Sequence, residues 1–241
     1  MKRSSRELGA RLTELAARHG LPSDAVERFE RLLDALEAEA EPPTTVKDAV
    51  RAVDVHVADS LVALDVQAVR DARQVADIGA GAGFPGLALA CALPDASVDL
   101  VESAGRKADV IRRLIEAAGL SGGRAVPSRA EEWAAGEGRE RYDVVTARAV
   151  ARLPVVLEYA APLLEQDGTL VVWRGARDPA AEDAAEDAAK TLGLAAGAVL
   201  AVKSFAGAHS RHLHVYSKRA TTPERFPRRP GVAAKRPLGR S

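Results

Sequence analysis

Asp77 to Gly86, DIGAGAGFPG, sets four glycines, an acid and a proline directly behind the short run Gln74-Val75-Ala76. Glycines at 79, 81, 83 and 86 let the backbone turn sharply and approach a ligand closely, which a Cβ would prevent. A side chain at Gly79 is accordingly expected to occupy the ligand's space. Pro85 suits the first turn of a following helix, where its missing N–H costs nothing. The segment reads as strand, glycine loop, helix: the nucleotide-binding end of a doubly wound α/β domain. Gly81-x-Gly83-x-x-Gly86 also satisfies the dinucleotide pattern, a weak signal alone. Asp77 separates the two readings. It would repel a pyrophosphate, whereas the sulfonium and amino groups of S-adenosylmethionine would be attracted to it in a partly desolvated cleft.

Other residues extend this cofactor site. Glu102 follows the predicted strand Ser97–Val101, where a carboxylate can accept both hydroxyls of a ribose. Its plainer role is an acid favoured by a helix N-terminus. Arg129-Ala130-Glu131-Glu132 follows the third strand, over the expected adenine position, although alone it is an ordinary helix start. Arg148 ends the fourth strand at the topological switch point. That stretch carries no Asn/Asp-Pro-Pro-aromatic motif for adenine amino methylation and no cysteine for attack on a pyrimidine. The single cysteine, Cys91, falls inside the first helix and reads as core. No catalytic residue is assigned with certainty; Arg148, a planar cation, is the candidate for positioning cofactor or a guanine acceptor such as O6. His212 and His214 share a strand face without ligand-spaced partners, so no metal is expected. His56, Asp59 and Ser60 share one helix face, where mutual hydrogen bonding is the simplest expectation.

The elements that must position these residues follow from periodicity. Amphipathic helices are predicted over 5–19 and 23–38, with Ser23 as N-cap of the second, and a broken helical stretch from Val46 to about Val69. Strands are predicted near 74–78, 97–101, 123–127, 142–146, 168–174, 198–203 and 211–217, with helices near 85–92, 104–118, 153–163 and 178–192. Asp167-Gly168 reads as a turn into the fifth strand. Five βα repeats and two closing strands predict a mostly parallel seven-stranded sheet ending in a hairpin. The expected units are an N-terminal helical extension (1–72), a Rossmann-like domain (73–217) and a basic tail (218–241).

With 241 residues, of which 47% are hydrophobic, the chain can build one large domain. One cysteine excludes disulfides, and no apolar run is long enough for a membrane span, so a cytoplasmic protein is expected. Equal numbers of basic and acidic residues, 34 each, conceal an asymmetry. From Lys218 onward there are eight bases and one acid, leaving 26 bases and 33 acids in the body. That tail is a candidate electrostatic foot for a polyanion, or else a solvated terminus.

Taken together, these motifs resemble the glucose-inhibited division protein B family of bacterial small-subunit rRNA methyltransferases. The resemblance runs over about residues 54–238. It is carried by His56-x-x-Asp59-Ser60-Leu61, DIGAGAGFPG, Arg129-Ala130-Glu131, Thr146-Ala147-Arg148-Ala149-Val150 and the tail from Pro227 to Leu238. It implies a class I S-adenosylmethionine-dependent methyltransferase fold and methylation of N7 of a guanine in the 530 loop of 16S rRNA. The cofactor contacts it implies are Gly79, Phe84, Ala130, Glu131 and Arg148, to which the residue reading adds Asp77, Gly81 and Glu102. RNA contacts are expected at Arg174, Arg228, Arg229, Lys235 and Arg236, with 16S rRNA or the small ribosomal subunit as partner and a monomer as the working form. Where the family usually shows Trp-Asn…Asn-Leu-Thr, residues 37–46 read EAEAEPPTTV, and Arg174 stands where a lysine is usual. Guanine N7 has a lone pair and no proton, so the chemistry needs no general base. A small-molecule methyltransferase and a non-catalytic RNA-binding factor that keeps the pocket are the alternatives.

Overall fold

A computed structural model describes residues 2–46 and 48–239. Among the described residues, seven strands form one sheet: β1 (Gln74–Ile78), β2 (Ser97–Val101), β3 (Gly123–Val126), β4 (Tyr142–Arg148), β5 (Leu164–Arg174), β6 (Leu194–Val202) and β7 (Arg211–Lys218). Their order is β3-β2-β1-β4-β5-β7-β6, parallel except for β7, which runs antiparallel to both neighbours. The strand order reverses beside β1, and register brings Ile78, Val101 and Ala147 level there. The C-terminal ends of β1, β2 and β4 therefore open one cleft, as the crossover geometry requires.

Helices α1 (Lys2–His19), α2 (Ala25–Ala38), α3 (Ala49–Ala52), α4 (Asp59–Leu61) and α5 (Gln67–Arg70) precede the sheet. Leu12, Phe29, Leu32, Val57 and Leu61 share a core with Val75, Leu87 and Leu100. The N-terminal helices are thus packed into the same body, because their apolar stripes have no other surface to cover. Asp24, not Ser23, precedes α2, and its side chain makes no capping bond. Between Ala49 and Arg70 the expected helix breaks into α, π and 3-10 pieces, with the π segment at Val53–Ala58.

The remaining helices are α6 (Gly86–Ala92), α7 (Gly105–Ala118), α8 (Ala130–Ala135), α9 (Leu153–Ala160), α10 (Pro179–Leu192) and α11 (Val232–Lys235). Cys91 lies in α6 within the core, where burial pushes its thiol up to about 12. Asp167, expected in a turn, sits inside β5 with φ of 64°, where pairing with β4 loses register. No helix among the described residues is long and apolar enough to cross a membrane.

The basic tail is folded on the body. Phe226 and Ala233 are buried, and the buried Lys218 ammonium donates to Ala161 O at 2.6 Å and Thr222 Oγ1 at 2.7 Å. Burial lowers that ammonium to about 8. Arg139 holds the following segment through the carbonyls of Phe226 (3.0 Å) and Thr222 (3.3 Å).

Candidate functional site

Three glycines of the loop after β1, Gly79, Gly81 and Gly83, adopt φ of 63°, 59° and 95°, a region costly for residues with a Cβ. Their surroundings differ. A Cβ on Gly83 would lie 2.2 Å from Leu87 Cδ1, so that position is closed by packing. A Cβ on Gly81 would meet only the Gly79 carbonyl oxygen, at 3.8 Å, and faces open space. At Gly79 the Cβ would come within 2.8 Å of Val150 Cγ2. A side chain there strikes protein before it fills a ligand's place, which corrects the expectation drawn from sequence.

Asp77 also differs from expectation. It is 1% exposed; its Oδ2 accepts the Gly86 N–H and its Oδ1 the Thr146 hydroxyl, each at 2.9 Å. The acid braces the glycine loop against β4 from below instead of meeting a cofactor cation directly. Burial raises its carboxyl to about 6, against the pull of those two hydrogen bonds.

Glu102 stands at the end of β2. Its carboxylate accepts the N–H of Gly81 at 2.9 Å and of Ala104 at 2.8 Å, which fixes it beside the open face of the loop. A carboxylate offers about four lone-pair positions, so capacity for ribose hydroxyls remains.

Arg148, the last residue of β4, turns toward the N-terminal helices. Its Nη1 donates to Val55 O at 3.2 Å and Asp59 Oδ2 at 3.1 Å. Asp59 is buried and also accepts from Ser204 Oγ at 2.8 Å, while its carbonyl accepts the Trp173 indole N–H at 2.7 Å. The guanidinium is an internal strut of the cleft, its ionised form disfavoured by burial and supported by Asp59 and Asp77. Ala149 then takes φ of 58°, and the chain turns so that Val150 faces Gly79.

Phe84, preceding Pro85 through a cis peptide, is buried with its ring stacked on His56, centroids 4.7 Å apart. Its side chain does not line the cleft. His56 Nε2 meets Thr44 Oγ1 at 3.0 Å, its buried Nδ1 has no hydrogen-bond partner among the described residues, and burial lowers the ring to about 4. The mutual bonding expected of His56, Asp59 and Ser60 is mostly replaced: Ser60 donates to the His56 backbone carbonyl, but the His56 ring meets Thr44 and the Asp59 carboxylate accepts from Arg148 and Ser204.

A cavity of about 240 Å³ lies over these strand ends, lined by Gly79, Val101, Ser103, Ser128, Arg129, Ala130, Glu131, Val150 and Tyr159, and by Gly231 and Ala234 from the tail. Ala130 and Glu131 begin α8. Glu131 is buried and accepts the Gly231 N–H at 3.0 Å. Open space at Gly81, two fixed carboxylates with spare acceptor capacity and a wall of mixed polarity fit a nucleoside. Ser103, Val150, Tyr159, Gly231 and Ala234 were not singled out for the site by sequence. The only local sign was the Pro230-Gly231 pair, a turn signal whose glycine does take φ of 80°.

The residues assigned to RNA divide. Arg228 is corrected: its Nε donates to Glu158 Oε1 at 2.7 Å, its Nη2 to Glu158 Oε2, and Glu158 is 1% exposed. Arg174 ends β5 half-buried and donates to Ala151 O at 3.2 Å. Arg229, Lys235 and Arg236 are exposed. Arg240, also counted in the basic tail, lies outside the described residues.

Comparison with known proteins agrees with this geometry. Residues 25–214 match the GidB family, described as rRNA small subunit methyltransferase G. A protein named ribosomal RNA small subunit methyltransferase G from Rubrobacter xylanophilus is 44% identical, covering 76% of this chain and 72% of its own. One of the same name from Desulfitobacterium hafniense is 34% identical, covering 96% and 97%. Among solved structures, a mutant of MtNAS in complex with S-adenosylmethionine superposes with a TM-score of 0.55 at 16% identity, covering 80% of this chain and 72% of its own. Mitomycin 7-O-methyltransferase MmcR gives 0.54 at 19%, covering 72% and 56%. These two likenesses concern the fold alone. The glycine loop, the fixed carboxylates and the match over most of the chain together identify a member of the rRNA small subunit methyltransferase G family, an S-adenosylmethionine-dependent methyltransferase.

Proposed function

We propose that this protein methylates N7 of a guanine in the 530 loop of 16S rRNA, working as a cytoplasmic monomer. The observation that carries the reading is the cleft at the ends of β1, β2 and β4, in a chain whose relatives are named for small-subunit rRNA. Glu102 would take the ribose, and Ala130 and Glu131 the adenine, with the Gly79 backbone on the cavity wall and the open space at Gly81 admitting the rest of the nucleoside. S-adenosylmethionine supplies an electrophilic methyl group when bound. The acceptor N7 holds a lone pair and no proton, so the protein need only align and desolvate it. Among the cleft's lining side chains, Glu131 is the carboxylate, and in this reading it serves the adenine; this suits a reaction without a general base.

Arg148 is proposed to act through the cleft wall. Anchored by Asp59, it holds the end of β4 and thus Val150 against Gly79, and its charge stays off N7, which becomes cationic on methylation. The target base would have to be splayed from its stack to reach the cleft.

The test is methyl transfer to small ribosomal subunits, naked 16S rRNA and small acceptors, followed by mapping of cleavable N7-methylguanine. Modification confined to one guanine of the 530 loop is expected. Transfer only to small acceptors, or to another rRNA position, would overturn the assignment.

A further inference from the structure

The tail from Lys218 carries eight bases and one acid against a body with more acids than bases, yet its middle lies on the cofactor cleft. Gly231 and Ala234 form part of the cleft's wall, and Gly231 donates its N–H to Glu131, the residue assigned to adenine. Two anchors hold this segment. Phe226 and Ala233 are buried, and Arg228 lies against the buried Glu158 while its Nη2 also donates to Arg236 O at 2.8 Å. That last bond pins the far end of α11 to the near end of the strap. Arg229, Lys235 and Arg236 stay exposed, and the exposed Arg129 lines the same cleft.

We propose that residues 226–236 form a strap that closes the adenosine end of the cofactor cleft, and that RNA bound to the strap's exposed cations tightens the hold on the cofactor beneath it. This rests on the cofactor and substrate classes given above. Docking gathers Arg229, Lys235 and Arg236 to the rim that carries Arg129, a denser cationic surface than a loose tail presents. A polyanion therefore binds the docked strap better than the released one. The cofactor also favours the docked strap, because Gly231 and Ala234 complete its wall. Two ligands that prefer the same conformation strengthen each other's binding by the same factor. Glu131 joins the two sites, since one carboxylate can accept the Gly231 N–H and still offer lone pairs to an adenine amine.

Calorimetry with S-adenosylhomocysteine and a 16S rRNA fragment containing the 530 loop tests this. The full-length protein should bind S-adenosylhomocysteine at least threefold more tightly with RNA present. A double variant, Glu158→Leu with Arg228→Met, removes the anchor without leaving a buried charge unpaired, and should lose tenfold or more in S-adenosylhomocysteine affinity. Reversing the outer charges, Arg229→Glu, Lys235→Glu and Arg236→Glu together, should abolish the tightening by RNA while RNA-free affinity stays within twofold.

Should the anchor variant not fold, hydrogen exchange on the unaltered protein decides. Amides of 226–236 should slow on addition of S-adenosylhomocysteine. Unchanged exchange, undiminished affinity in a folded anchor variant, or equal tightening in the charge-reversed variant would each overturn the strap. Absence of any S-adenosylhomocysteine binding by the full-length protein would instead overturn the cofactor assignment on which it rests.

Discussion

Two buried carboxylates flank the cleft, and each holds an arginine on different ground. Asp59 secures Arg148 from within the N-terminal helices, with Ser204 and the Val55 carbonyl completing the network. Glu158, on α9, secures Arg228 from the tail. The Arg148 side chain is 17% exposed and that of Arg228 24%, but their surroundings differ more than those values. Arg148 ends a sheet strand and is fixed at both sides by core elements. Arg228 belongs to a segment beyond the last strand, where the chain turns back over the surface. The first pair joins two elements of the core, whereas the second ties a segment beyond the last strand to α9.

Removing the carboxylate from each pair exposes this difference. Asp59→Ala should cost about 3–5 kcal/mol of stability, because Arg148 would keep its charge in a buried setting without its partner. Ser204 and Arg211, 3.7 Å from Asp59 Oδ1, would lose their partner as well. Urea unfolding at neutral pH measures this, and a loss under 1 kcal/mol would show that Arg148 finds solvent easily. The same operation on the other side, Glu158→Ala, should cost only about 1–2 kcal/mol, since Arg228 can swing into water with its segment. Its distinguishing sign is faster proteolysis after Arg225 or Arg228 with the sheet still folded. If both variants lose equal stability in one cooperative transition, the tail is as much core as the N-terminal helices.

Sequence reached the sheet readily and the site unevenly. Strands β1, β2 and β7 were marked by short apolar or alternating runs between turn residues, and such patterns act locally. Thr146 and Val150 became part of the site only through register, which places Thr146 opposite Asp77 and turns Val150 onto Gly79. No periodicity shows that pairing. For Asp77 the residue type suggested a cofactor's positive charge, but the fold uses it as an acceptor for two local donors. The tail misled for a simple reason. Charge counts do not reveal direction, and Lys218 and Arg228 point inward among carbonyls and a carboxylate.

The smallest expected effect sharpens the comparison within the core side of the cleft, where two buried groups oppose each other in pH dependence. Asp77 has its carboxyl raised to about 6, so the unfolded chain releases this proton more readily than the native one. Stability from this group is therefore highest below its ordinary carboxyl range and falls as pH rises from about 4 to 6. His56 has its ring lowered to about 4, so the unfolded chain takes up a proton first. Its contribution is complete near neutrality and lost as pH falls from about 6.5 toward 4. Burial drives both shifts, with opposite sign because the charged form is the deprotonated one for Asp77 and the protonated one for His56. Over pH 4–6 the two slopes largely cancel, each amounting to on the order of 1–2 kcal/mol. Asp77→Asn can keep an acceptor for Gly86 while losing the charge, and its stability relative to the parent should climb from pH 4 to 6 and then level. His56→Gln should move the opposite way, losing ground relative to the parent over pH 4–6.5. Guanidinium unfolding at half-unit pH steps resolves both curves. Parallel pH profiles for parent and variants would mean that water reaches these groups and that the cleft floor is less closed than its hydrogen bonds indicate.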